Sequence, residues 1–189
     1  LGAEGPTWEE GRSLNPPNDL VEDLPPEEGA RILRAFEIAE EAHQGQTRRD
    51  GTPYVAHPVR VARIVRHEMG CDEPNTLCAA LLHDTLEDTA LPSFAIAKDF
   101  TEAVAELVEI LTKDRSAPRE DYYRRFETAP RPARLIKIGD RLDNLRDLES
   151  FTARKRDRYI KDTVDFFIPV AEELMPQLAA EMRMHCGLE

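Results

Sequence analysis

Along this chain apolar residues recur at steps of three and four, and sustained alternation is absent, so the pattern predicts helices packed on a shared core. Ile32, Leu33, Phe36, Ala39 and His43 share one face. They follow Pro25-Pro26-Glu27-Glu28, a start that puts acid at the positive end of the helix dipole. Gly45 is the expected stop. The next stripe is Val59, Ala62, Val65 and Met69, widened by Val61 and Ile64; it opens at His57-Pro58 and ends at Gly70. A third helix begins at Pro74 and is expected to run on through 81–89, until Ala90-Leu91-Pro92 breaks it. Residues 92–100 read as a short helix. Thr101 reads as the N-cap of Glu102–Leu111, whose Val104, Leu107, Val108 and Leu111 make an apolar face.

Residues 119–128 form a polar helix carrying Tyr122, Tyr123 and Phe126, with Arg124 and Arg125 read as a solvated face. After Pro130 and Pro132, residues 133–148 bury Leu135, Ile138, Leu142 and Leu145. Lys137, Asp140 and Asn144 fall on an adjoining face. Gly139 costs that helix about 1 kcal/mol relative to alanine, so it is expected to serve a packing contact or the close approach of a ligand. Residues 152–184 read as a long helical stretch that Pro169 and Pro176 kink or divide. The fold class expected is all-α, a bundle of about eight or more helices. One domain is expected over residues 25–189, preceded by an acidic, Pro-rich arm over 1–24 in which Trp8 is the anchor, on the body or on a partner.

Composition narrows the function classes. Hydrophobic residues make up 41% of the 189 and no apolar run is long enough to span a bilayer, so no membrane partner is expected. No signal peptide is visible in residues 1–8. A formal charge of −12 opposes nonspecific nucleic-acid binding, though for a small anion the local charge decides. Cys71, Cys78 and Cys186 are odd in number and lack close metal spacing, and read as free thiols of a reducing, cytoplasmic compartment.

The chemistry gathers in residues 81–89, where His83-Asp84 is followed one turn later by Glu87-Asp88. At helical spacing an imidazole and up to three carboxylates share a patch. Such carboxylates repel unless a cation or a proton neutralises them. The loop over 45–54 holds Arg48, Arg49 and Tyr54, read as a solvated turn or as a lip that offers guanidinium groups to phosphate or a base face. His43 is read as a hydrogen-bonded core or wall histidine. Taken together, His57, His83, Asp84 and Asp140 offer two nitrogens and two oxygens without thiolate. That set suits Mn²⁺, Fe²⁺, Mg²⁺ or Zn²⁺ in an open, catalytic geometry.

The order His … His-Asp … Asp resembles that of the HD-domain metal phosphohydrolases. Three blocks sharpen the likeness: Gln46-Thr47-Arg48-Arg49-Asp50-Gly51-Thr52-Pro53-Tyr54 with His57-Pro58; His83-Asp84-Thr85-Leu86-Glu87-Asp88-Thr89; and Lys137-Ile138-Gly139-Asp140-Arg141-Leu142-Asp143-Asn144-Leu145-Arg146. They resemble the hydrolase domain of the RelA/SpoT family over about 32–178. The resemblance implies an HD-domain helical fold and hydrolysis of the 3′-pyrophosphate of guanosine tetra- and pentaphosphate, (p)ppGpp, to GDP or GTP and pyrophosphate, by a stand-alone small alarmone hydrolase. It implies one Mn²⁺ on His57, His83, Asp84 and Asp140, with Glu87 and Asp88 positioning or deprotonating water. It further implies Arg48 at the guanine ring, Arg49 near phosphate, Asn144 at ribose or phosphate, Tyr54 as a pocket wall and Lys137 touching phosphate. Asp143 and Asp147 are expected near the nucleotide face, where they would oppose phosphate. That keeps two alternatives open: an HD-domain phosphohydrolase acting on another nucleotide, such as NADPH or a nucleoside phosphate, or a non-catalytic nucleotide-binding module. The sequence carries no signal of oligomeric state.

Overall fold

A computed structural model describes residues 14–188. Helix α1 (Pro26–Ala42) starts on Pro26 with Glu27 and Glu28 in its first turn and buries Ile32, Ala35, Phe36, Ile38 and Ala39. Helix α2 (Ala56–Arg63) continues through a π-helical turn at Ile64–Glu68. The chain then reverses at Gly70, whose φ of 66° is open to glycine at no steric cost. Helix α3 (Pro74–Leu82) is capped by Glu73, whose carboxylate accepts the N–H groups of Asn75 and Thr76. From Thr76 to Leu82 every residue of α3 is buried. It is the central helix of the bundle, packed against α1 and α2 and against two later helices.

The third helix does not run on to Thr89 as its spacing suggests. It ends at Leu82, His83 and Asp84 form a turn, and a new short helix, α4 (Thr85–Asp88), begins. Side chains compete here for the carbonyls that a continuing helix would use. His83 Nδ1 lies 2.7 Å from the Ala80 carbonyl oxygen, and the Thr85 hydroxyl donates to the Leu82 carbonyl at 2.7 Å. The break separates the histidine–aspartate pair from the acidic pair, which therefore stand on different elements.

Helix α5 (Ser93–Asp99) is short. Helix α6 (Glu102–Leu111) is N-capped by Thr101, as the sequence indicates, and buries Val104, Ala105, Leu107, Val108 and Leu111 against α3. Helix α7 (Arg119–Arg124) runs into a 3₁₀ turn at Arg125–Glu127, with Tyr122 and Phe126 buried and Arg124 and Arg125 exposed. Helix α8 (Arg131–Arg146) lies against α2, α3 and α6. Helix α9 (Ala153–Asp162), a π-helical turn at Thr163–Phe167 and α10 (Ile168–Leu174) form one bent rod. Pro169, which has no N–H to give to the preceding turn, follows directly on the π-helical turn. Met175 then leaves helical geometry and Pro176 opens α11 (Pro176–His185).

Gly139 marks the seam between α8 and α2. A Cβ built there would meet the Val61 side chain, the Val61 carbonyl oxygen and the Val65 side chain, each at 3.5 Å. This is a packing contact at ordinary van der Waals distance. Gly139→Ala is expected to fold and to raise stability by up to about 1 kcal/mol, the helix-propensity difference. A lower melting temperature would show that the seam has no room for a methyl group.

Of the arm expected over 1–24, the part described here is draped on the body. Leu20 is fully buried in the common core. Arg63 donates twice to the Asp19 carboxylate, at 2.7 and 2.8 Å, and Arg66 donates to the Glu22 carbonyl. Trp8 lies outside the described residues. Among the described residues extended pairing is confined to an isolated bridge between Thr47 and Pro53, and no helix is long and apolar enough to cross a membrane.

Candidate active site

The loop 45–55, the α3–α4 turn and α8 converge on one cavity of about 390 Å³. At its floor His57 and His83, 1% and 3% exposed, meet edge to face with ring centroids 5.2 Å apart. Ligand atoms of His57, His83 and Asp84 all lie within 4.8 Å of one another. Asp140 joins them through its Oδ1, 3.3 Å from His57 Nε2, while Asp84 Oδ2 lies 3.5 Å from the same nitrogen. Three of the four residues singled out for a metal thus form one cluster, and Asp140 adjoins it at His57.

The donor atoms suit a divalent cation. His83 Nδ1 is engaged by the Ala80 carbonyl, which leaves Nε2 to point into the site. That buried Nε2 makes no hydrogen bond, although Asp84 Oδ1 is 3.2 Å away. A buried nitrogen without a partner is costly unless something fills the place opposite it. His57 is likewise held by its far nitrogen, Nδ1, 2.6 Å from Asp143 Oδ2. Both rings therefore present Nε2 to the same point.

Electrostatics carry the imprint of this crowding. Burial lowers the His57 pKa, but hydrogen bonds to Asp140 and Asp143 and the charge of Asp84 outweigh it, lifting it to about 9. For Asp140, burial works upward. The Lys137 ammonium and the two histidines overcome it and hold the carboxylate well below its usual range. Lys137 Nζ donates to Asp140 Oδ2 at 2.8 Å and Asn144 Nδ2 donates to Oδ1 at 2.7 Å. The two residues expected to touch nucleotide on α8 thus also brace Asp140.

The acidic pair sits above the floor. Glu87 accepts the backbone N–H of Lys113 at 3.2 Å. Burial raises its pKa, an effect that the Lys113 N–H opposes without cancelling. Asp88 accepts from Arg115 at 2.9 Å. The Tyr54 hydroxyl lies 2.9 Å from Asp84 Oδ2 and 3.1 Å from Asp88 Oδ2, and its single proton is shared between them. Tyr54 is thus a wall that links floor to rim. His43 stacks behind it at 4.5 Å and bonds Gln46 through Nδ1, a buried, hydrogen-bonded histidine that does not line the cavity.

Arg48 lies mostly buried between Asn144 Oδ1 at 3.3 Å and Asp147 Oδ2 at 3.2 Å. Arg49 donates to the Ser150 carbonyl at 2.6 Å and lies over the Phe151 ring. The expected opposition to phosphate does not arise for Asp143, whereas Asp147 lines the cavity as expected. Asp143 is 4% exposed and turned toward His57 and Arg60, and Asp147 is paired with Arg48.

Sequence reasoning passed over part of the lining. Lys113, Arg141, Lys155 and Tyr159 line the cavity beside Arg48, Arg49 and Lys137. Arg141 is 3% exposed and lies 4.1 to 4.8 Å from the ring centres of Phe167, Tyr159 and Tyr123. One signal was available: Arg141 stands one turn after Lys137, and Lys155 and Tyr159 are four apart on α9. Their convergence on the cavity depends on how α9 folds back. The cavity is therefore rich in cations inside a chain of net charge −12.

Comparison with known proteins agrees with this geometry. The model of the HD domain family matches residues 35–174. The protein MESH1 of Homo sapiens, named guanosine-3′,5′-bis(diphosphate) 3′-pyrophosphohydrolase, is 43% identical over 131 residues, covering 66% of this chain and 73% of MESH1. The Escherichia coli bifunctional (p)ppGpp synthase/hydrolase SpoT is 38% identical over 168 residues, 83% of this chain and 24% of SpoT. A guanosine-3′,5′-bis(diphosphate) 3′-pyrophosphohydrolase of Aquifex aeolicus is 40% identical over 156 residues, 79% of this chain and 22% of that protein. The chain thus spans about a quarter or less of the length of these two bacterial relatives. A solved structure, described as a metazoan ortholog of SpoT that hydrolyzes ppGpp, matches with a TM-score of 0.74 at 30% identity, over 85% of this chain and 97% of that one. With its His … His-Asp … Asp order, its helical architecture and these relatives, the chain belongs to the HD-domain family, in the group that includes SpoT and MESH1.

Proposed function

We propose that this chain hydrolyses the 3′-pyrophosphate of guanosine tetra- and pentaphosphate, releasing GDP or GTP and pyrophosphate, with Mn²⁺ as its cation. The observation that carries the reading is the meeting of His57, His83, Asp84 and Asp140 under a cavity lined by Arg48, Arg49, Lys113, Lys137, Arg141 and Lys155. The names of the relatives, MESH1 among them, support the choice of substrate. Of the possible cations Mn²⁺ fits the mixed nitrogen and oxygen donors, with Fe²⁺, Mg²⁺ and Zn²⁺ as competitors. A cation held by those four residues supplies Lewis acidity at the phosphoryl oxygens and lowers the pKa of water.

The remaining steps belong to the chain's own groups. Glu87 is half-buried and its carboxyl is tuned upward, so it accepts the proton of the attacking water. Asp88, held by Arg115 and Tyr54, orients that water. Water adds to the phosphorus bonded to O3′, the P–O3′ bond breaks, and a proton returns to O3′. Arg49, Lys137 and Lys155 hold the phosphates, and Arg48, with Asn144, faces the base and ribose.

The test is turnover of purified protein with ppGpp and each divalent metal in turn, reading GDP and pyrophosphate. Equal amounts of both products, fastest with Mn²⁺, are expected. No GDP under any metal overturns the reading, and faster turnover of NADPH or a nucleoside monophosphate replaces the substrate.

A further inference from the structure

We infer that Asp143 is a positioning residue for the metal centre: through His57 it sets which ring nitrogen faces the cation and how strongly that nitrogen donates. The inference rests on the reading of His57 as a metal ligand and goes beyond it.

The geometry is specific. His57 Nδ1 donates to Asp143 Oδ2 at 2.6 Å, so Nε2 is the nitrogen left to face Asp84 and Asp140, which with it would hold a cation. Arg60 holds the same carboxylate from the other side, with Nε 2.7 Å from Oδ1 and Nη2 3.1 Å from Oδ2. A carboxylate as buried as Asp143 is strongly disfavoured unless it is paired and its lone pairs are satisfied. Here His57 and Arg60 satisfy both oxygens, and the arrangement joins α2 to α8.

The second histidine is supported differently. His83 Nδ1 meets the neutral Ala80 carbonyl of its own helix. A carboxylate behind an imidazole fixes the tautomer and raises the basicity of the far nitrogen more than a carbonyl does. The two imidazoles are therefore unequal donors, and His57 is the stronger. An Arg60–Asp143 pair serving stability alone has no need to end on a ring nitrogen of the site. Here Asp143 Oδ2 lies 2.6 Å from His57 Nδ1 and 3.1 Å from Arg60 Nη2, while Arg60 Nε takes the other oxygen.

The test uses the full chain and two readouts other than turnover. Calorimetric titration with Mn²⁺ is expected to show an affinity about 10- to 100-fold weaker in Asp143→Ala, the usual cost of losing such a partner. Arg60→Met, which removes the clamp and leaves the His57–Asp143 bond, is expected to melt earlier while keeping cation affinity. Equal losses in both variants, or wild-type affinity in a folded Asp143→Ala protein, overturn the inference in favour of a stability role. Nitrogen-15 spectra of the histidine rings give the second readout, which needs no variant. Wild type loaded with Zn²⁺ is expected to carry the His57 proton on Nδ1, and a proton on Nε2 overturns the proposal even if Asp143→Ala does not fold. The outcomes separate from those of the preceding section. A protein that binds Mn²⁺ but leaves ppGpp intact removes the substrate and keeps Asp143 in its role, whereas wild type that binds no divalent cation removes both.

Discussion

Asp140→Asn is expected to lower kcat/KM for ppGpp on the order of 10³-fold and to weaken Mn²⁺ binding, while leaving the bundle folded. Several kcal/mol of charge stabilisation by a bound cation, at about 1.4 kcal/mol per factor of ten, set that size. Asp140 is where the site's contacts meet, facing Lys137, Asn144 and His57 within 3.3 Å. The asparagine keeps its shape and one acceptor and removes the charge. Asp140→Ala is the harsher variant, because it strands the buried Lys137 ammonium without its anion. Breaking one side of a buried pair costs about 3–5 kcal/mol, so that variant confounds unfolding with loss of metal. Melting curves, Mn²⁺ titration and steady-state rates on Asp140→Asn together decide the matter. Wild-type rates with intact Mn²⁺ affinity would remove Asp140 from the centre.

The second large effect belongs to the acidic pair, and here binding and chemistry should separate. Glu87→Gln and Asp88→Asn are each expected to reduce kcat by about 10²- to 10⁴-fold, the range for a positioned proton acceptor. Mn²⁺ affinity should be little changed, because neither carboxylate is among the four residues proposed to hold the cation, and Glu87 and Asp88 are engaged by Lys113 and Arg115. Glu87 also predicts the pH profile. Burial raises its carboxyl pKa, and a base works only when deprotonated. The acid limb of kcat/KM should therefore rise with pH through a midpoint above that of an ordinary glutamate, and Glu87→Gln should lose that limb. If the limb persists in Glu87→Gln, the proton goes elsewhere, with Asp88 next in line.

These effects follow from residues whose identity was readable before any fold was known, but their arrangement was not all readable. His83, Asp84, Glu87 and Asp88 are close in sequence and legible as one cluster. Yet the helix assumed to carry them breaks at His83-Asp84, because the His83 and Thr85 side chains bond to carbonyls of the preceding turn. Lys137, Asp140 and Asn144 share a face by helical spacing alone, and the structure keeps them on it. Asp143, one residue before Asn144, is placed by sequence position alone near the nucleotide face. Its direction depends on α2, 86 positions earlier in the chain, where His57 and Arg60 wait for it.

What the sequence determined by itself is local: where helices start and stop at Pro26, Gly70, Thr101 and Pro176, which stripe each buries, and which donors the site contains. Those properties depend on residues within a few turns of one another, so spacing and capping chemistry suffice. Only the tertiary structure decided that Asp143 supports His57, that Arg141 lies among three aromatic rings, and that Leu20 enters the core. Each of these joins parts of the chain far apart in sequence. Such contacts are set by how whole helices pack, and no short stretch of residues encodes that packing alone.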